Sequence, residues 1–267
     1  MEKFAVASGT AIRYNDSLEG EKTILLLHCY LENLDVWEPW SHKLAEHYRV
    51  ISLDLPGHGI SEVRGEIHTM EFLAETAHGL LETLGISQYI VLGHSMGGYV
   101  AMEMMKKWPS EIEGALFLHS HPYADTPQRA EDRLREIELM QSGRKEVLIK
   151  LNPQRRFAAE NCKRLSGVID ELKEMAFLTE DEGIVAILKG MAQRGDYVEM
   201  IEKTDIPTLF IYGSGDQMIP QEICARVAEQ FTAAQVTMIE SCGHMSFIEQ
   251  PDKTLDIVND FCSKLKK

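Results

Sequence analysis

A mostly parallel, doubly wound α/β sheet with a helical insertion is the fold this sequence predicts. Three observations carry it. Short, continuously apolar runs recur along the chain, as in strands buried on both faces. Amphipathic helical stretches alternate with them, which is the rhythm of βαβ units. That rhythm stops between about residues 122 and 203, where the chain is charged and helical with no buried strand run, and then resumes.

Taken in order, "FAVASGTAIRYND" is two strand-like runs around Ser8-Gly9, a hairpin signal. "TILLLH" (23–28) and "RVISLDL" (49–55) are buried strands, and "WEPWSHKLAEHY" (37–48) between them has helical spacing. "PGHGIS" is a turn. The amphipathic helix 70–85 stops at Gly85. "YIVLGH" (89–94) is a strand that leads into the helix "MGGYVAMEMMKKW", ended by Pro109, and "IEGALFLHS" (112–120) is the next strand. After the break come the strands "TLFIYG" (208–213) and "QVTMIE" (235–240), with the helix "QEICARVAEQF" between them, and "TLDIVNDFCSKL" closes the chain as a helix. The predicted division is a first core part, 1–121, a helical cap, 122–203, and a second core part, 204–267.

Composition excludes several function classes. Lys plus Arg is 27 and Asp plus Glu is 42, a formal charge of −15 with no basic cluster, so a nucleic-acid partner is not expected. Five widely spaced cysteines without a C-x-x-C pair read as reduced thiols of a cytoplasmic protein. No signal-like N-terminus and no apolar run of the ~18 residues a span needs are present, so no membrane partner is expected.

The chemistry is concentrated in "VLGHSMGGYV" (91–100). Gly93-His94-Ser95-Met96-Gly97 is G-x-S-x-G between a strand and a helix, the context a nucleophile elbow requires. Glycines two residues either side leave room for a sharp turn, and the helix N-terminus offers N–H groups to a developing oxyanion. A serine hydroxyl needs a base. His244 follows the strand 235–240 directly, whereas His42, His47, His68 and His78 lie on or near helices, His58 belongs to a turn and His94 is the serine's neighbour. Asp216, just past the strand 208–213, is placed to orient the imidazole, with Asp125 as the reserve acid. The order Ser95, Asp216, His244 suits this chemistry.

The segments "LLLHCYLEN", "LDLPGHGIS", "GHSMGG", "YGSGDQMIP" and "CGHMSFIEQP", in this order over residues 23–251, resemble the α/β-hydrolase superfamily in its small, cap-bearing serine hydrolase branch. The resemblance implies Ser95 as nucleophile, His244 as base, Asp216 as orienting acid, and the backbone N–H groups of Tyr30 and Met96 as oxyanion hole. It implies no cofactor or metal, and a small-molecule ester or lactone as substrate. C–C bond hydrolases, perhydrolases and lyases on the same triad, and slow-turnover ligand-binding signalling proteins, stay open as alternatives. One departure stands out: where the family usually has His-Gly, this chain has His28-Cys29. Cys29 either narrows the site, shifts the Tyr30 donor, or is tolerated by the backbone. His28, Asp54 and His58 read as loop and turn residues.

Substrate-binding candidates are Cys29, His119 and His121 at the end of the strand 112–120, and Trp37 and Phe157 as apolar wall, with Leu178, Ile187 and Met191 beside them; for the apolar ones the alternative is that they hold the cap to the core. His119 and His121 lack a third ligand for a metal. Arg155 and Arg156 read as a solvated pair in preference to a carboxylate clamp.

Overall fold

The structure, a computed structural model, describes residues 2–265. Its sheet is built from β1 (Lys3–Ala7), β2 (Thr10–Asp16), β3 (Thr23–Leu27), β4 (Arg49–Leu53), β5 (Tyr89–His94), β6 (Ile112–Leu118), β7 (Thr208–Gly213) and β8 (Gln235–Ile239). The strands lie in the order β1-β2-β4-β3-β5-β6-β7-β8. β1 and β2 form the antiparallel hairpin, β2 runs antiparallel to β4, and from β4 to β8 all pairings are parallel. Each of the strand runs read from the sequence is a strand here.

Helices cover both faces, which is why the central strands could not alternate with polar residues. Side chains of alternating residues sort into two apolar cores. Leu25, Leu27, Val91 and Phe117 face α2 (Met70–Thr83) and α3 (Met96–Lys107). Ile24, Leu26, Ile90 and Leu116 face α1 (Trp40–Leu44) and the C-terminal helix, Pro251–Ser263. α2 starts on Thr69, whose hydroxyl accepts from the Phe72 N–H, and stops before Gly85 at φ +69°.

The stretch 37–48 departs from the expected single helix. A 3₁₀ turn, Leu34–Trp37, ends on its first residue, and the only helix that follows within it is the five residues of α1. Pro39 sits between them and has no N–H for a continuing helical ladder. The apolar spacing had the right cause all the same: Trp37, Trp40 and Leu44 share one buried face.

Five helices stand between β6 and β7: α4 (Pro127–Gln141), α5 (Lys145–Arg155), α6 (Ser166–Leu178), α7 (Asp181–Ala192) and α8 (Val198–Lys203). α4 packs on α5 and α7, and α5 packs on α6. Backbone bonds tie this layer to the sheet loops: the His68 N–H donates to the Ala186 carbonyl at 3.0 Å and the His244 N–H to the Arg156 carbonyl at 2.6 Å. α9 (Gln221–Gln230), α10 (Ser246–Glu249) and α11, the C-terminal helix, complete the chain. All five cysteines are free thiols, and among the described residues no helix is long and apolar enough to cross a membrane.

Candidate active site

Ser95 is the single residue between β5 and α3, at φ +51°, ψ −109°, a strained conformation for a residue with a Cβ. Its surroundings hold it there. Its N–H donates to the Leu118 carbonyl at 2.8 Å, and its own carbonyl accepts from the Gly98 N–H at 2.9 Å and the Ser120 hydroxyl at 2.9 Å. The flanking glycines are explained by close approach. A Cβ on Gly93 would stand 2.3 Å from the Gly97 carbonyl oxygen, and one on Gly97 would stand 2.1 Å from that of Leu27. Strand end, loop and helix start could not come together with side chains at these positions.

Ser95 opens on a cavity of about 370 Å³ whose wall includes Cys29, Tyr30, Met96, Tyr99, His121 and His244. His244 Nδ1 donates to Asp216 Oδ2 at 2.7 Å. Asp216 has a side chain only 1% exposed, and its carboxylate takes further bonds from the Met218 and Ile219 N–H groups at 2.7 and 3.1 Å and from His119 Nδ1 at 3.1 Å. Burial works to raise the Asp216 carboxyl, but the two imidazoles outweigh it and hold the group well below its ordinary value. Burial drives His244 below the ordinary imidazole value despite the facing carboxylate. The site therefore rests as an ionised carboxylate against a neutral imidazole whose proton sits on Nδ1, leaving Nε2 as the basic nitrogen.

Several expected lining residues are elsewhere. His119 is fully buried, not on the wall: its N–H continues the β6–β7 ladder to the Ile211 carbonyl, and its ring is wedged between Asp216 and the Ser246 N–H. His121, two residues on, does stand on the cavity wall, and its Nδ1 has no partner among the described residues; burial and the nearby Arg194 push it down to about 4. Trp37 and Phe157 are corrections as well. Both are 0% exposed in the second core, Trp37 against Phe247 at 4.6 Å between ring centroids, because each lies on the sheet side of its segment. Ile187 is buried, Leu178 is 79% exposed, and Met191 reaches the cavity. Asp125 is committed to Arg133 and Arg194.

Arg156 overturns the solvated reading. It is 3% exposed on the cavity wall, donating to Glu32 Oε1 at 2.6 Å, to the Tyr30 carbonyl at 2.6 Å and to Asn152 Oδ1 at 3.0 Å. Its neighbour Arg155 stays exposed.

Sequence reasoning missed Glu32. This carboxylate is fully buried, and Oε2 accepts from the Cys29 N–H at 2.9 Å and His94 Nδ1 at 3.1 Å. Burial alone would raise it; His94 and Arg156 hold it well below the usual carboxylate range. His94 in turn bonds the His244 carbonyl through Nε2 at 2.9 Å. One acid thus joins the loop of Cys29 and Tyr30, the loop of His244 and the Arg156 end of α5. A lone acid in a loop carries no sequence signal that separates it from a solvated one.

Among the described residues, two trios of side chains bring ligand-type atoms within 4.8 Å of one another, Cys29–Glu32–His94 and His119–Asp216–His244. Each carboxylate also takes donors from beyond the trio's side chains, Glu32 from Arg156 and the Cys29 N–H and Asp216 from the Met218 and Ile219 N–H groups. The Cys29 thiol lies beside the Ser95 hydroxyl and the Met96 N–H, and burial pushes it up, so it is a thiol and a poor nucleophile.

Comparison with known proteins agrees with this architecture. A family model described as the alpha/beta hydrolase fold matches residues 22–251. A pimeloyl-acyl-carrier-protein methyl ester esterase of Yersinia enterocolitica is 28% identical over 264 residues, spanning 92% of this chain and 95% of its own. A thermophilic esterase from Thermogutta terrifontis superposes with a TM-score of 0.93 at 25% identity, over 100% of both chains. An enol-lactonase from Burkholderia xenovorans gives 0.89 at 24% identity, over 98% of this chain and 100% of that one, which speaks to the fold. Because the family model spans the parallel sheet, the Ser95 turn and the His244 loop together, the chain belongs to the alpha/beta hydrolase fold family.

Proposed function

We propose that this protein is a serine hydrolase of small to medium carboxylic esters or lactones, with residues 122–203 as the cap over its pocket. The observation that carries the reading is the His244–Asp216 bond of 2.7 Å on the same cavity as the strained Ser95. Ser95 Oγ attacks the ester carbonyl carbon while His244 Nε2 takes its proton. The N–H groups of Met96, at the unpaired start of α3, and Tyr30 receive the oxyanion. Collapse returns the proton from His244 to the leaving alkoxide and leaves an acyl-serine. A water that gives its proton to His244 then releases the acid. Asp216 holds the imidazole tautomer and stabilises its charged form throughout. The first-named relatives in both comparisons are esterases, which favours an ester over other carbonyl substrates.

The test is hydrolysis of p-nitrophenyl esters across acyl length. A cavity of about 370 Å³ predicts turnover of short chains, falling steeply for long ones. Equal lack of turnover on every length would remove the proposal.

The base must be neutral to act, and His244 is shifted below its ordinary value. Activity is therefore retained as pH falls through about 6.5, and kcat/KM declines only in more acidic solution. A pH–rate profile with its acid limb at or above that value would contradict the assignment of His244.

Cys29 favours one second reading, a slow-turnover protein whose oxyanion site is obstructed. Cys29→Gly removes the thiol beside the Ser95 hydroxyl and the Met96 N–H. It is expected to raise kcat, by up to about tenfold, with acyl-enzyme accumulation reduced in a stopped-flow burst. An unchanged or lower kcat means the thiol does not obstruct the hole.

A further inference from the structure

The wall above Ser95 has a sign opposite to that of the molecule. The chain carries −15, yet Arg129, Arg133, Arg156 and Arg226 reach the cavity against two aspartates, Asp125 and Asp132. Two of the arginines are spent: Arg133 is paired with Asp125, and Arg156 with Glu32 and the Tyr30 carbonyl. The aspartates are likewise engaged, Asp125 between Arg133 and Arg194, Asp132 by Gln128 and Arg135.

Arg129 and Arg226 are different. Arg226, on α9, is exposed and enters no ion pair among the described residues, and its guanidinium lies over the Tyr123 ring at 4.0 Å from the centroid. Stacking leaves the edge of the fork free and fixes its plane. Arg129, in the first turn of α4, has one carboxylate contact, to Glu136 at 3.4 Å, and burial pushes Glu136 up, which weakens it as a counter-ion. Apolar Met191, Met218, Ile219 and Ile223 line the same cavity. A cavity lined by the Ser95 hydroxyl, these apolar side chains and two under-used guanidinium forks suits a short chain that ends in an anion.

We propose that Arg129 and Arg226 form a subsite for a carboxylate on the substrate, so that the enzyme prefers carboxylate-bearing esters such as monoesters of short dicarboxylic acids. This rests on the serine hydrolase reading above. The forks supply charge-assisted, bidentate recognition that a neutral chain cannot use; Arg129 is 37% exposed and Arg226 is exposed, so salt screens the pairing and the selectivity weakens as salt is raised.

The experiment is a pH-stat comparison on the purified enzyme. Monomethyl glutarate and butyryl glycolate place the carboxylate on the acyl or the alcohol half; methyl valerate and ethyl butyrate are their neutral counterparts. The ratio of kcat/KM, carboxylate-bearing over neutral, is expected above about tenfold for at least one pair at low salt, and to shrink as salt is raised. Arg226→Gln and Arg129→Gln are each expected to lower that ratio by roughly threefold to tenfold, mainly through KM. Lys203→Gln, a 72% exposed charge on α8 paired with Glu199 and outside the lining of this cavity, should leave the ratio where it is. A ratio near one for both pairs, a ratio that Arg226→Gln and Arg129→Gln leave unchanged, or one that Lys203→Gln lowers as much as they do, overturns the subsite. In those outcomes neutral esters still turn over and the serine hydrolase reading stands. Absence of turnover on all four esters by a folded protein removes both.

Discussion

Ser95→Ala is expected to cost about 10⁴-fold to 10⁶-fold in kcat on a short-chain ester while leaving the protein folded. The bonds that hold the turn are made by the Ser95 backbone N–H and carbonyl, with Leu118, Gly98 and Ser120, so truncating the side chain leaves them intact. Alanine carries the same Cβ as serine, so the strain at φ +51° is unchanged. What disappears is the one hydroxyl placed at the start of α3 on the cavity that His244 faces. Initial rates together with a thermal melt check this. A variant that melts like the parent and keeps more than about a tenth of its rate would show that the reaction does not run through Ser95.

The second large effect is on stability. Glu32→Ala is expected to lose about 3–5 kcal/mol, because it strips a buried counter-charge from Arg156 and an acceptor from His94 and the Cys29 N–H in one step. Activity of the remaining folded fraction should fall as well. The Tyr30 carbonyl is held by the same Arg156, and the His244 carbonyl by the same His94. Glu32→Gln keeps the shape and part of the acceptor set but not the charge, so it should fall between the parent and Glu32→Ala. Urea midpoints with a common slope measure the series. A loss under about 1 kcal/mol for Glu32→Ala would mean that the network is satisfied by water and does not depend on the acid.

The central strands were legible because a doubly covered sheet demands continuous apolar runs, and "TILLL" or "TLFIYG" leave little else to build, while β1 and β2 were legible from the turn between them. The elbow was legible because its glycines answer a close backbone approach: a Cβ on Gly97 or Gly93 would stand 2.1 or 2.3 Å from a carbonyl oxygen. Asp216 and His244 could be nominated because strand ends place them on one rim of the sheet. Side-chain direction within the helical layer was not legible. Trp37 and Phe157 point into the sheet core and Arg156 into the cavity, and nothing in "VW" or "QRRF" fixes which way each turns. The 37–48 stretch misled for a related reason, since its spacing reports a buried face whether one helix or a turn and a short helix presents it. Glu32 was invisible because its three partners, at 29, 94 and 156, are brought together by tertiary structure alone.

In the proposed reaction Ser95, activated by His244, forms the covalent acyl-enzyme. Labelling the protein with a fluorophosphonate and locating the adduct by intact and peptide mass tests it most directly. A single adduct on Ser95 is expected, with loss of ester turnover in step with labelling and no adduct on Ser95→Ala. An adduct carried by another residue, or full labelling of Ser95 with turnover undiminished, would contradict it.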